Sequence, residues 1–193
     1  MQLYWQPDPN SRLYEGTASG EPHVKLEVYS PPNLSRPKFA EAVKHEFRAT
    51  KVGESFGPSW STHWFRITLT VPSELAKKDY LEFHWDAGNE GLIYTEKGDI
   101  IHGLTGGDER IEYIFPKAWA DGAKHIFYIE MACNTMFGNG GGDNIQPPPP
   151  DRYYTLSKAE IAAINLDVRA LDLDFWLIGG TISTITPPQT AFS

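Results

Sequence analysis

The stretch Phe56-Gly-Pro-Ser-Trp60-Ser-Thr-His-Trp64-Phe65 runs straight into Phe65-Arg-Ile-Thr-Leu-Thr-Val71. The second half decides the fold class. Phe65, Ile67, Leu69 and Val71 fall on one side of an extended chain, and Arg66, Thr68 and Thr70 on the other. That period of two belongs to a half-buried strand. The first half gathers two Trp and two Phe into ten residues. Such a concentration suits a core corner, a sugar-stacking platform or a docking surface. Carried backward, the alternation sets Trp60, Thr62 and Trp64 on the face opposite Phe65. If the Phe65 face is core, Trp60 and Trp64 look outward, as a ligand or partner surface requires.

More strands follow the same grammar on both sides. Val24, Leu26 and Val28 alternate within His23–Tyr29, and Leu81, Phe83 and Trp85 within Tyr80–Trp85. Leu92–Ile101 reads as a hairpin with Gly98 at its turn, and Arg110–Phe115 as a further strand. His125–Cys133 is apolar on both faces and belongs in the middle of a sheet. Short strands in succession predict a mainly β fold, an antiparallel sandwich of jelly-roll-like, galactose-binding-like type. Ser35 caps an expected short helix with Phe39, Val43 and Phe47 as its stripe. Ser157-Lys-Ala-Glu160 reads as a capping box. Ile161, Ile164, Val168, Leu171, Phe175 and Ile178 then predict one long amphipathic C-terminal helix over 157–178, stopped by Gly179-Gly180. The expected layout is a flexible lead-in at 1–22, a sandwich at 23–150, a linker and helix at 151–180, and a tail at 181–193. Within it, 134–150 is a Gly- and Pro-rich loop.

The bulk properties exclude several classes. A net charge of −8 argues against nucleic acid, whose phosphates need a basic surface. No apolar run is long enough to span a membrane, and the N-terminus has no signal-peptide pattern. Cys133 is the lone cysteine, so no intramolecular disulfide forms and a cytoplasmic, reducing location is expected.

Candidate chemistry is sparse. His84 and Asp86 share a strand face and could hold a metal together, but two ligands are not a site. Gly103–Gly107 lacks the Lys-Ser/Thr ending of a phosphate loop. Asp86, Glu90, Asp108 and Glu109 are turn carboxylates of the type a glycosidase pairs, though turns collect such residues anyway. Cys133 lies on a hydrophobic strand with no basic neighbour and reads as an inert thiol. Ser59, Ser61 and His63 lack a nucleophile elbow. No catalytic or metal residue is assigned. The candidate docking or sugar-facing residues are Trp60, Trp64, Asp86, Asn89, Glu90 and Asn134.

Four motifs, in order, carry a family resemblance. They are Phe56–Phe65, Trp85-Asp-Ala-Gly-Asn-Glu-Gly-Leu-Ile-Tyr94, Gly103-Leu-Thr-Gly-Gly-Asp-Glu-Arg110 and Tyr128-Ile-Glu-Met-Ala-Cys-Asn-Thr-Met-Phe-Gly138. Together they resemble the N-terminal region of the cytosolic and vacuolar α-mannosidases of glycoside hydrolase family 38, the fungal vacuolar type above all. Ala159-Glu160 and Asp174-Phe-Trp176 resemble the segment leading toward that family's catalytic barrel. The resemblance covers about residues 22–180. It implies a β-sandwich that is non-catalytic by itself. The nucleophile and the ligands of a divalent metal such as zinc lie in the barrel, before which this chain is expected to be truncated. The implied partners are the α-mannosidase catalytic domain or sister subunits, with mannose-containing glycans as a second class. Vacuolar delivery is implied as a destination. The rival readings are a carbohydrate-binding module and a small enzyme using Asp86 and Glu90.

Overall fold

The computed structural model describes residues 13–107, 110–134 and 147–185, with side chains to residue 178. Twelve strands form two main antiparallel sheets and one short pair. They are β1 (Tyr14–Ser19), β2 (Val24–Tyr29), β3 (Arg48–Ala49), β4 (Ser55–Phe56), β5 (Thr62–Leu69), β6 (Leu81–Asp86), β7 (Glu90–Tyr94), β8 (Ile100–Thr105), β9 (Glu112–Ile114), β10 (His125–Ala132), β11 (Tyr154–Thr155) and β12 (Lys158–Ile164). The six-stranded sheet runs β3-β2-β5-β10-β7-β8, the four-stranded sheet β1-β12-β6-β9, and β4 pairs with β11. The mainly β sandwich is therefore as expected, and β10 sits centrally between β5 and β7.

The core lies between the sheets. β5 contributes Phe65, Ile67 and Leu69, β10 contributes Phe127, Ile129 and Met131, and β6 contributes Leu81, Phe83 and Trp85, all buried. Phe65 is wedged between Phe56 at 4.9 Å and Trp85 at 4.7 Å between ring centroids, both edge-on. That geometry is the favoured one for aromatic quadrupoles.

A second, smaller core lies on the outer face of the six-stranded sheet. Helix α1 (Phe39–Ala42) is a single turn whose N-cap is Lys38, so Ser35 is not the cap. Phe39 stacks on Tyr94 at 5.5 Å and meets Trp64 and Tyr128 edge-on at 5.9 and 5.3 Å. Gly98, at φ 91, makes room for it: a Cβ there would lie 2.5 Å from Phe39 Cδ1.

Helix α2 (Ser73–Ala76) is another single turn, and Leu75 covers β1 at Gly16. Gly103, Leu104 and Thr105 belong to β8 rather than to a glycine loop.

Two stretches depart from the sequence reading. Tyr14–Ser19, expected inside a loose lead-in, is an edge strand paired with β12. Residues 158–164, expected to open the long helix, are strand β12, wedged between β1 and β6. Ser157 does not cap a helix. Its N–H and Oγ both donate to the Asp86 carbonyl. Ala159, Ile161 and Ala163 face the core at period two. The Ala- and Glu-containing segment has helical propensity, but pairing on both edges overrides it. The helix is α3 (Leu166–Ile185), which starts eight residues later than the capping box implies and continues through Gly179-Gly180. Asn165 Oδ1 accepts the Val168 N–H at 3.2 Å and caps it. No described helix is long and apolar enough to cross a membrane.

Candidate functional site

Of the six candidate residues, the fold gathers five at one end of the sandwich. There β5 begins, β6 ends, β7 begins and β10 ends. Trp60 lies in the turn before β5 with φ 72, a left-handed conformation rare for a bulky residue. Its N–H donates to the Cys133 carbonyl at 2.9 Å, and its ring is 40% exposed. Asp86 closes β6. Its Oδ1 accepts the N–H groups of Gly88 at 2.7 Å and Gly107 at 3.2 Å, so it ties two loops together. Asn89 is 4% exposed, and its carbonyl accepts the Gly106 N–H at 2.9 Å. The approach there is so close that a Cβ on Gly106 would fall 2.3 Å from the Asn89 nitrogen. Glu90 donates its N–H to the Asn134 carbonyl at 3.3 Å. The side-chain Nδ2 and Oδ1 of Asn89 and the Oδ1 of Asn134 are buried without a hydrogen-bond partner. Most of the Gly- and Pro-rich loop, and Asp108 and Glu109, fall outside the described residues.

Trp64 is the exception, and it corrects the outward reading. It is fully buried. It does face away from Phe65, but the second core under Phe39 covers that face. Strand β5 is thus buried on both sides over Thr62–Phe65. The alternation was sound, and the cover supplied by α1 was not visible in the strand's own sequence.

The described residues do not fit a metal. His84 Nε2 pairs with Glu82 Oε2 at 2.9 Å, Asp86 is engaged by loop amides, and no group of three or more metal-binding side chains occurs among them.

The sequence reading missed the most strongly built polar cluster. Glu82 is completely buried on the outer face of the four-stranded sheet. Arg169, in the first turn of α3, donates to it twice, Nη1 to Oε1 at 2.6 Å and Nη2 to Oε2 at 3.0 Å. Burial opposes the Glu82 charge, but His84 and Arg169 together outweigh it and hold the carboxyl below its usual range. An apolar strand carrying Glu and His at adjacent same-face positions was the available signal.

Ser61 and His63 do lie together, with Oγ to Nε2 at 2.9 Å, while His63 Nδ1 meets Ser30 Oγ at 2.8 Å. Burial, followed by the charge of Arg48, pushes the His63 imidazole down from 6.5 to about 4. The unfolded chain therefore takes up this proton first as pH falls. The contribution is complete above about pH 6.5 and is lost toward pH 4, about 3 kcal/mol in all. Urea midpoints should fall through that window, and H63Q should flatten the slope. An unchanged slope in the variant would contradict this assignment. Burial pushes the Cys133 thiol up to about 11, against a hydrogen bond from Ser61. It should resist alkylation at neutral pH until the chain is unfolded. Rapid labelling of the native chain would contradict that.

Comparison with known proteins fits this architecture. The family model described as the jelly roll domain of alpha-mannosidase matches residues 21–162, from just before β2 into β12. An alpha-mannosidase of Saccharomyces cerevisiae is 45% identical over 135 residues, which cover 69% of this chain and 12% of the yeast protein. Alpha-mannosidase G of Dictyostelium discoideum is 38% identical over 162 residues, 82% of this chain and 15% of its own length. Human alpha-mannosidase 2C1 is 36% identical over 144 residues, 74% and 14% respectively. The matched region is thus a small fraction of each relative. On the family match, which spans both sheets of the sandwich, the chain belongs to the alpha-mannosidase jelly roll domain family.

Proposed function

We propose that this chain is a non-catalytic jelly roll module of a glycoside hydrolase family 38 α-mannosidase, and that its work is packing and assembly. In this reading the hydrolysis of terminal α-mannosides, and the divalent metal that supports it, belong to the rest of a full-length relative. Cytoplasmic and vacuolar α-mannosidases are the setting the reading implies.

One observation carries it. Helix α3 leaves the sandwich with large apolar side chains in water: Leu171 is 51% exposed, Leu173 55%, Trp176 75% and Ile178 57%. Isolated exposed apolar residues are ordinary, but a run of this density marks a surface meant for a partner. The proposed partner is the remainder of an α-mannosidase chain. The relatives are about seven to eight times as long as their matched parts, since those parts cover 12–15% of them. Asp86 at the candidate site has a structural duty toward loop amides, and the buried Glu82, at the other end of β6, has one toward Arg169.

The chain should bind a hydrophobic dye such as anilinonaphthalene sulfonate, and L171D/W176D should abolish most of that binding. It should not turn over an aryl α-mannoside, with or without added Zn²⁺. A monodisperse monomer that binds no dye would overturn the docking role. Turnover would overturn the non-catalytic role.

A further inference from the structure

A helix that docks by one side keeps a polar face for the water on its other side. Over Leu171–Ile178 helix α3 keeps no such face. Every residue from Ala170 to Ile178 is exposed, and successive residues step round the axis by about 100°. Leu171 and Ile178 fall on one line of the helix, about 20° apart. Leu173 lies about 160° round the axis from Leu171, on the opposite side, and Trp176 about 60° from Leu173. All four are more than half exposed. The two acidic residues of this stretch are arranged in the same way. Asp172 and Asp174 lie about 160° apart round the axis. Both are exposed, and neither enters an ion pair among the described residues. Arg169, the basic residue of the helix, is committed to Glu82.

A second copy of this chain does not meet that demand. Two α3 helices side by side cover one side of each and leave the opposite apolar line in water. A larger bundle of copies also shows an outer side of every helix, and it gathers Asp with Asp. A partner that surrounds the helix covers every line at once. The matched region is 12–15% of each relative, so each has ample further chain from which to build such an enclosure.

From this we infer that α3 is a plug, enclosed by its partner on all sides over Leu171–Ile178 rather than laid on a surface. The receiving channel is apolar, about 12 Å long for these eight residues, and carries one basic side chain toward Asp172 and another toward Asp174. The cations are required because a carboxylate taken into an apolar enclosure is tolerated only when paired. The inference rests on the docking role proposed above, with the remainder of an α-mannosidase as the partner. It adds the shape and the charge of the surface that receives the helix.

The test is a cysteine footprint of the helix. L171C, L173C and W176C are made singly in the full chain, at exposed positions where the fold tolerates them. The native Cys133 is buried and adds little background. Alkylation is timed on the chain alone and with an excess of the Saccharomyces cerevisiae alpha-mannosidase lacking its matched 135-residue region, whose folding is checked by its thermal transition. All three rates should fall by about tenfold or more in the complex, L171C and L173C alike although they lie on opposite sides of the helix. D172N and D174N should each weaken the complex by about tenfold or more, because each strands a cation in the channel. Protection of L171C or L173C alone overturns the enclosure and leaves one-sided docking standing. Absence of any complex overturns both. Self-association of the chain alone that protects all three cysteines, or unchanged affinity in D172N and D174N, also overturns the inference.

Discussion

Trp64→Ala is expected to destabilise the chain by about 3–5 kcal/mol, the range for deleting a fully buried large aromatic. For a domain of this size that is a fall in Tm of about 10 °C. Trp60→Ala, four residues away, should cost about 1 kcal/mol or less, because the ring is already 40% in water. The contrast follows from what covers each ring. Trp64 is the centre of the second core, touching Phe39 and Tyr94, with Ala42 and Phe47 in the same cluster. Its Nε1–H is also buried without a partner. Trp64→Phe removes that orphan donor while keeping most of the volume, so it should cost only about 1 kcal/mol. Thermal denaturation of the three variants decides the matter. Equal losses for Trp60→Ala and Trp64→Ala would mean that α1 does not cover the outer face as described.

This pair also shows how far the sequence could be read. Period-two patterns placed β2, β5 and β6 correctly, because Val24, Leu26 and Val28, Phe65, Ile67 and Leu69, and Leu81, Phe83 and Trp85 each line the core from one face, and apolar residues on both faces placed β10. Trp64 was misjudged because its cover comes from Phe39, a residue in a different element whose packing no local pattern encodes. The segment 157–164 failed for a related reason. Its local signals, a Ser-x-x-Glu box and three alanines, favour helix, and only the edges of β1 and β6 make it a strand. At the candidate site, the turn residues Asp86, Asn89 and Glu90 stand out by type. Their convergence with Trp60 and Asn134 is a product of sheet topology. Glu82 and Arg169, 87 positions apart, could not be paired from the sequence at all.

Arg169→Ala carries the second large effect. Glu82 is wholly out of water, and Arg169 supplies two of its hydrogen bonds. Removing the guanidinium leaves a buried carboxylate with only His84 beside it. Breaking such a pair from one side costs about 3 kcal/mol or more, because the stranded charge keeps its desolvation penalty. Without Arg169, burial should also push the Glu82 carboxyl upward, so R169A should unfold at higher pH than the parent as acid is added. Changing both residues to leucine should recover much of the loss. A double-mutant cycle reads this directly, and a coupling energy near zero would contradict the pairing. The ion pair also anchors the first turn of α3, so R169A should weaken any function that needs the helix held against the sheet.

The central claim is that α3 presents a docking surface for the remainder of an α-mannosidase. The direct measurement is sedimentation of this chain mixed with the Saccharomyces cerevisiae alpha-mannosidase from which the matched 135-residue region has been removed. The account predicts a one-to-one complex that L171D/W176D abolishes while leaving the sandwich folded. A parent chain that sediments alone at every mixing ratio, or a complex indifferent to the two substitutions, would contradict it.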